Sequence, residues 1–355
     1  MKKLIYLLSL SPVLTFAQPQ GYYDDAVGLN GQALKAALHQ IIDDHDPIGY
    51  SGLWNAFEAS DKKNNGKVWD IYSDKPGQTP PYEFTFVTDQ CGGNSPNTEN
   101  GCFNREHTWP QSYFSSSNPA VSDLFHVYPT DAWVNSKRGN FPYGVVNNAN
   151  WTSLNGSKVG PNAFPGSPSG TAFEPIDSFK GDVARTYFYM ATRYYSEDNS
   201  WDDWAMADGA DLKPWAVSML LEWHHLDPVS QKEKDRNEAV YSLQDNRNPF
   251  IDNPLFADCI WANADCWTNS VAEVADPENL SIYPIPAKGL VRVDWQGAVA
   301  EQFVVEVYAV SGARLHHSEP AAKAFHFSVD GWAPGVYLIH IKTPKTRLVK
   351  KLIVE

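Results

Sequence analysis

A chain of 355 residues with 43% apolar side chains is long enough for two domains, which excludes a chain too short or too polar to bury a core. The formal charge of −14 is concentrated between residues 18 and 275, where 17 basic side chains face 34 acidic ones. A uniformly basic, polyanion-coating surface is therefore excluded: either cations cluster locally to meet such a partner, the reading preferred here, or the natural substrate is not a long duplex. The apolar run at 4–14 behind Lys2 and Lys3 is too short to span a bilayer and ends at Thr15-Phe16-Ala17. It reads as a secretory signal peptide cleaved after Ala17, and no other stretch reaches membrane-spanning length.

In chain order, Leu34, Ala37, Leu38, Ile41 and Ile42 recur at helical spacing and predict an amphipathic helix over 31–45. A second helix is expected from Ser51, as its cap, through Phe57. Alternation at 67–72 and 82–87 predicts two strands, followed by a polar, turn-rich loop over 92–101. Cys91, Cys102, Cys259 and Cys266 suit an oxidising compartment and allow three connectivities. Sequence proximity favours Cys91 with Cys102 and Cys259 with Cys266. The Gly, Pro, Ser and Asn between 147 and 175 predict a long surface insertion.

Asp177-Ser178 is then expected to cap a helix whose stripe is Phe179, Val183, Tyr187, Met190 and Tyr194, leaving Arg185 and Arg193 as solvated charges. Pro214 opens a helix through His225, and Asp227-Pro228 starts another reaching Gln244. On that helix Arg236 shares the face of Val229, Val240 and Leu243. A long cation there is expected to cross the packed layer and, with Arg247, to clamp a phosphate. Past Trp267 a linker at 276–280 leads to short strands at 291–295, 303–308, 325–329, 336–341 and 348–354. Turns at Ser311-Gly312, Asp330-Gly331 and Pro334-Gly335 separate them, which is the pattern of a small β-sandwich.

The chemistry gathers between Cys102 and Phe141. Glu106 is a hard oxygen ligand, Asn135 adds a neutral carbonyl oxygen, and His107 is a base whose ordinary pKa lies near neutrality. That set suits an oxygen-liganded Mg²⁺ with a separate general base. Zinc fits worse, because neither His224-His225 nor any HExxH run supplies its ligand spacing. Glu106 and His107 are adjacent and would face opposite ways on a regular strand, so the strand must end or kink there, for which Trp109-Pro110 supplies a reason.

The runs Asn104-Arg105-Glu106-His107-Thr108-Trp109-Pro110-Gln111-Ser112, then Asp123-Leu124-Phe125-His126-Val127-Tyr128-Pro129 with Val134-Asn135-Ser136-Lys137-Arg138-Gly139-Asn140-Phe141, then Gln244-Asp245-Asn246-Arg247-Asn248-Pro249-Phe250-Ile251-Asp252, resemble three ordered blocks of the endonuclease I family of ββα-metal (His-metal finger) nucleases. The tail resembles the C-terminal sorting domain of the type IX secretion system. Tyr283-Pro284-Ile285-Pro286, Val307-Tyr308-Ala309-Val310-Ser311-Gly312, Gly335-Val336-Tyr337-Leu338-Ile339 and the closing Lys350-Lys351-Leu352-Ile353-Val354-Glu355 carry that likeness, although Ile285 stands where the family usually has Asn. A carbohydrate-binding module is the second reading of the tail.

These resemblances imply an α+β fold with a ββα-metal core and surrounding helices, followed by a small all-β sandwich. The implied domains are the signal peptide at 1–17, a nuclease domain at 18–275 and a sorting domain at 276–355. Glu106 and Asn135 would hold Mg²⁺, with Ca²⁺ or Mn²⁺ as alternatives, and His107 would act as general base. Arg105, Lys137, Arg138, Arg236 and Arg247 are the implied phosphate contacts, with Lys232 and Lys234 added from charge clustering. The implied substrate is DNA or RNA, cut to 5′-phosphate and 3′-hydroxyl ends by a secreted monomer that meets the secretion machinery through its tail. The rival of another class is a non-catalytic surface adhesin or glycan binder.

Overall fold

The computed structural model describes residues 18–93, 96–264, 266, 280–295, 304–309, 314–318, 320, 324–342 and 347–355. The expected signal segment at 1–17, the linker at 276–279 and the Ser311-Gly312 turn lie outside them. The chain divides into two compact units, Met1–Cys266 and Trp267–Glu355.

In the first unit the elements run α1 (Gly31–Ile42), α2 (Leu53–Ser60), β1 (Phe103–His107), β2 (Val127–Asp131), α3 (Ala132–Arg138), β3 (Trp151–Thr152), β4 (Lys158–Pro161), β5 (Thr171–Glu174), α4 (Lys180–Arg193), β6 (Ala207–Asp208), β7 (Asp211–Leu212), α5 (Pro214–Leu226), α6 (Gln231–Gln244), α7 (Pro249–Asp252) and α8 (Leu255–Trp261). The central element is α4, buried along its whole length and packed against α1, α5 and α7. Such burial requires its polar residues to find internal partners. Arg185 therefore forks onto Glu233, and Arg193 reaches His45 and Glu197, where the sequence reading expected two solvated charges. Gly181 permits the closest approach: a Cβ there would stand 2.0 Å from the carbonyl oxygen of Asp227.

Several local expectations are corrected. Residues 67–72 and 82–87 contribute only the isolated bridges Lys62↔Val68 and Lys67↔Thr85. The cause is Asp70, whose carboxylate accepts from the Tyr72 amide and the Ser73 hydroxyl and turns the chain out of an extended run. The segment expected as an insertion instead forms the antiparallel sheet β3-β4-β5. The first residue before α2 is Gly52 rather than Ser51. α6 starts at Gln231 because Ser230 and Glu233 form a reciprocal capping box, which outcompetes the Asp227-Pro228 start.

β1 and β2 pair antiparallel from Phe103↔Asp131 to His107↔Val127, and α3 follows β2 without a break. This is the expected ββα unit. Its entry is pinned by the Cys91–Cys102 disulfide and by the Cys91 amide donating to the Phe103 carbonyl at 3.0 Å. The second local bridge, Cys259–Cys266, is also present.

The second unit holds β8 (Leu280–Tyr283), β9 (Leu290–Trp295), β10 (Val304–Ala309), β11 (Arg314–Ser318), β12 (Ala324–Ser328), β13 (Gly335–Lys342) and β14 (Arg347–Val354). They form two antiparallel sheets, β11-β10-β13-β14 and β12-β9-β8. Alternate residues such as Val291, Val293, Val305, Val307, Ile339 and Ile341 fill the core, as period-two patterning requires. β8 and β11 are additional to the strands read from the sequence.

Candidate active site

The site is built at the end of β1. Thr108 continues the ladder by one bond, its amide donating to the His126 carbonyl at 3.1 Å, before Pro110 makes a further amide bond impossible. Arg138, projecting from α3, then fixes the strand end. Its Nη1 donates to the His107 carbonyl at 3.0 Å, Nη2 donates to the Thr108 carbonyl, and Nη1 lies 3.2 Å from Glu106 Oε1. Both Glu106 and His107 are buried, and the pairing runs through both of them, Glu106↔Tyr128 and His107↔Val127, so the strand ends just after the two residues rather than between them.

Each of the three residues expected at the centre has one polar atom committed inward and one left over. Glu106 Oε1 accepts from the Tyr72 hydroxyl at 2.7 Å and pairs with Arg138, so Oε2 is the oxygen available to a cation. Burial raises the Glu106 pKa, against the lowering effect of Arg138 and Tyr72. The Asn135 amide nitrogen donates to Asn104 Oδ1 at 2.9 Å and reaches the Arg105 carbonyl at 3.5 Å, which leaves Oδ1 as its free acceptor. Asn135 owes its place to Asp131, whose side chain caps α3 by accepting from the Trp133 and Val134 amides. His107 Nε2 lies 3.0 Å from the Val121 carbonyl oxygen. A carbonyl can only accept, so Nε2 carries the proton and Nδ1 keeps the lone pair. Burial, with His126 next in weight, pushes the His107 pKa down to about 3. The imidazole is neutral at physiological pH and thus able to take a proton.

A carboxylate oxygen and an amide oxygen form a hard donor set, and it fits a divalent cation that takes its remaining ligands from water or phosphate. Residues 30–255 match the family Endonuclease I, and residues 281–355 match the secretion system C-terminal sorting domain. The chain belongs to the endonuclease I family. An extracellular ribonuclease of Bacillus subtilis (strain 168) is 37% identical over 265 residues, covering 72% of this chain and 83% of that protein. The extracellular ribonuclease of Bacillus amyloliquefaciens is 38% identical over 254 residues, 69% of this chain and 79% of its own length. The Endonuclease-1 of Buchnera aphidicola subsp. Acyrthosiphon pisum is 26% identical over 130 residues, 37% of this chain and 44% of that protein.

In this endonuclease I domain the expected phosphate contacts divide. Arg105 is half-buried beside His107, with its guanidinium 3.7 Å from the Tyr50 ring centroid and 4.7 Å from that of Trp54. Lys137 lies half-buried over Trp133 at 4.2 Å. The other three point inward. Arg138 is 1% exposed and holds the strand end, so it cannot also grip a phosphate. Arg236 is ion-paired to Asp61 at 2.7 Å and donates to the Leu124 and Val127 carbonyls. Arg247 is forked between Glu238 and Asp252. The expected clamp by Arg236 and Arg247 is therefore replaced by three internal ion pairs, the arrangement that compensates buried guanidiniums. Lys232 likewise donates to the Ser60 carbonyl at 2.7 Å, whereas Lys234 is exposed.

Sequence reasoning missed Tyr72, the Val121 carbonyl and Tyr50, whose ring lies 6.0 Å from that of His107 at 22°. None of these carries a local signature. The Asp131 cap does, since an Asp directly before a helical run is a start signal. Elsewhere in this unit His39, Asp43 and Glu197 bring ligand atoms within 4.8 Å of one another, a grouping able to hold a metal ion. No helix among the described residues is long and apolar enough to cross a membrane.

Proposed function

We propose that the protein is a secreted, divalent-metal-dependent endonuclease that hydrolyses phosphodiester bonds of DNA and RNA with little sequence preference, leaving 5′-phosphate and 3′-hydroxyl ends. The observation that carries this reading is the division of Glu106, Asn135 and His107 into inward and outward atoms. Two oxygens and one unprotonated ring nitrogen are the atoms that these bonds leave over, and the proposal assigns them to one centre. His107 Nδ1 takes a proton from water as the water oxygen bonds to phosphorus in line with the departing 3′ oxygen, which gains its proton from solvent. Glu106 Oε2 and Asn135 Oδ1 would hold the cation, Mg²⁺ by donor type, with Ca²⁺ and Mn²⁺ as alternatives. When bound, that cation supplies charge stabilisation to the phosphate and the leaving oxygen. Arg138 and Tyr72 keep Glu106 in one orientation, and Arg105 and Lys137 are the proposed phosphate contacts.

This chemistry does not use a 2′-hydroxyl, so both nucleic acids are substrates; the ribonuclease names of the two Bacillus relatives support including RNA. The segment 1–17 is proposed as the signal peptide, and the sorting domain supports a secreted or cell-surface destination. The test is cleavage of a plasmid and of a uniform single-stranded RNA by the purified protein, with Mg²⁺ or EDTA. His107→Ala should lose roughly 10²- to 10⁴-fold in turnover with metal affinity kept. Glu106→Ala should lose metal affinity, and Asn135→Ala should show a milder form of that defect. Metal-independent cleavage, or RNA products ending in 2′,3′-cyclic phosphate, would overturn the proposal.

A further inference from the structure

His39, Asp43 and Glu197 belong to none of the machinery described above. His39 stands in the last turn of α1, Asp43 is the residue that ends that helix, and Glu197 follows the C-terminus of α4. His39 Nδ1 lies 3.0 Å from the carbonyl oxygen of Arg193. That carbonyl is one of the last of α4 and has no partner within the helix, so Nδ1 donates to it. The bond fixes the ring so that Nε2 faces Asp43 Oδ2 at 3.8 Å and Glu197 Oε1 at 3.7 Å. Both separations are too long for hydrogen bonds. They are close to the distance between neighbouring ligands of one small cation, about 3.4 Å for a tetrahedral centre with bonds of about 2.1 Å.

A backbone carbonyl orienting the far nitrogen of a histidine is the usual support of a metal-bound imidazole. The surroundings favour positive charge as well, because the negative ends of two helix dipoles converge there. Against this, Arg193 Nη1 lies 3.1 Å from both oxygens of Glu197. That contact engages the same Oε1 that lies towards His39, takes up part of the ligand's charge and lowers affinity. His39 is buried, whereas Asp43 and Glu197 keep solvent access through which an ion enters.

We propose that His39, Asp43 and Glu197 form a second divalent-cation site, separate from the Glu106 centre, that takes a first-row transition ion such as Zn²⁺ and ties the end of α1 to the end of α4. One nitrogen with two carboxylate oxygens selects such an ion over Mg²⁺, which prefers an all-oxygen shell. Its role is structural. Next to this clip, Tyr189 of α4 and Tyr194, the residue that ends it, both donate to the buried Asp123 at 2.9 Å in the segment leading from the His107 support to β2.

The experiment uses the full mature protein, stripped with chelator, and titrates Zn²⁺ by calorimetry with metal content checked by mass spectrometry. The Glu106→Ala protein serves as background, so that the catalytic centre does not contribute. One bound Zn²⁺ per chain is expected there. Its affinity should fall at least tenfold on adding Asp43→Asn or Glu197→Gln, whose positions are solvent-accessible and tolerate the change, and its binding should be lost on adding His39→Ala. Zn²⁺ should also raise the melting temperature of Glu106→Ala but not of Glu106→Ala/Glu197→Gln. Absence of stoichiometric Zn²⁺ in the Glu106→Ala protein, or affinity unchanged by both carboxylate substitutions, overturns the proposal. Failure of the nuclease assay with Zn²⁺ binding intact would instead refute only the catalytic reading.

Discussion

Replacing Arg138 by Met isolates the link between the strand end and Glu106, the proposed metal ligand. Methionine fills most of the same volume, but it removes the donors to the His107 and Thr108 carbonyls and the partner 3.2 Å from Glu106. Charge-assisted hydrogen bonds contribute about 1.5–3 kcal/mol each, and breaking a buried ion pair costs about 3–5 kcal/mol. These do not add in full, because Glu106 is already raised in pKa by burial and will protonate rather than remain a bare anion. A loss of about 4–6 kcal/mol is expected, or about 10–20 °C in Tm for a domain of this size. With saturating Mg²⁺ the cation takes over the guanidinium's role towards Glu106, so roughly half of the loss, the ion-pair share, should return. Thermal melts of wild type, Arg138→Met and Arg138→Met/Glu106→Gln in Mg²⁺ and in EDTA measure this. The double variant should lose the metal rescue. Equal Tm losses for Arg138→Met in both media would refute the reasoning, since Glu106 would then not be the residue that joins Arg138 to the cation.

Because burial pushes the His107 pKa down to about 3, the acid limb of the pH–rate profile should lie far below neutrality, with rate falling as pH drops through that value, and it should be missing in His107→Ala. The same depressed pKa contributes stability that is fully present above the unfolded value of about 6.5 and is lost as pH falls towards the folded one, which acid melts of wild type against His107→Ala will show. Reducing Cys91–Cys102, which closes a separation of 11 residues, should cost about 3 kcal/mol and weaken Mg²⁺ binding alongside, as read by denaturant titration and calorimetry. Deleting 276–355 should leave specific activity near wild type and stop release from the producing cell; an inactive but folded truncation would contradict it.

The ββα unit was legible through the family resemblance carried by the runs at 104–112, 123–129 and 134–141, and the end of its strand through Pro110, whereas the Asp131 cap, a local start signal, went unread. The sandwich was legible from period-two alternation, except for β8 and β11. β11 carries Arg314, His316 and His317 and has only half-buried or exposed side chains, so it lacks an apolar face to read. Long-range pairing was not legible. Arg185, Arg193, Arg236 and Arg247 look alike in the sequence whether they face water, phosphate or a buried carboxylate, and their partners Glu233, His45 and Asp61 lie 48, 148 and 175 residues away from the first three. The hydroxyl of Tyr72 on Glu106, 34 residues distant, is hidden for the same reason.

The inward turn of Arg138, Arg236 and Arg247 has a consequence for how the protein meets a polyanion. Of the five phosphate contacts implied by the family, only Arg105 and Lys137 remain outside the internal ion pairs, and of the two lysines added from clustering Lys232 is committed to the Ser60 carbonyl while Lys234 is exposed. Few counterions are then displaced when substrate docks. At about −0.9 logarithmic units per contact on duplex DNA, two contacts give only about a tenfold loss of affinity between 50 and 200 mM salt. Substrate binding is therefore expected to weaken only slightly as salt rises, a slope that nucleic-acid binding measured across that salt range would read.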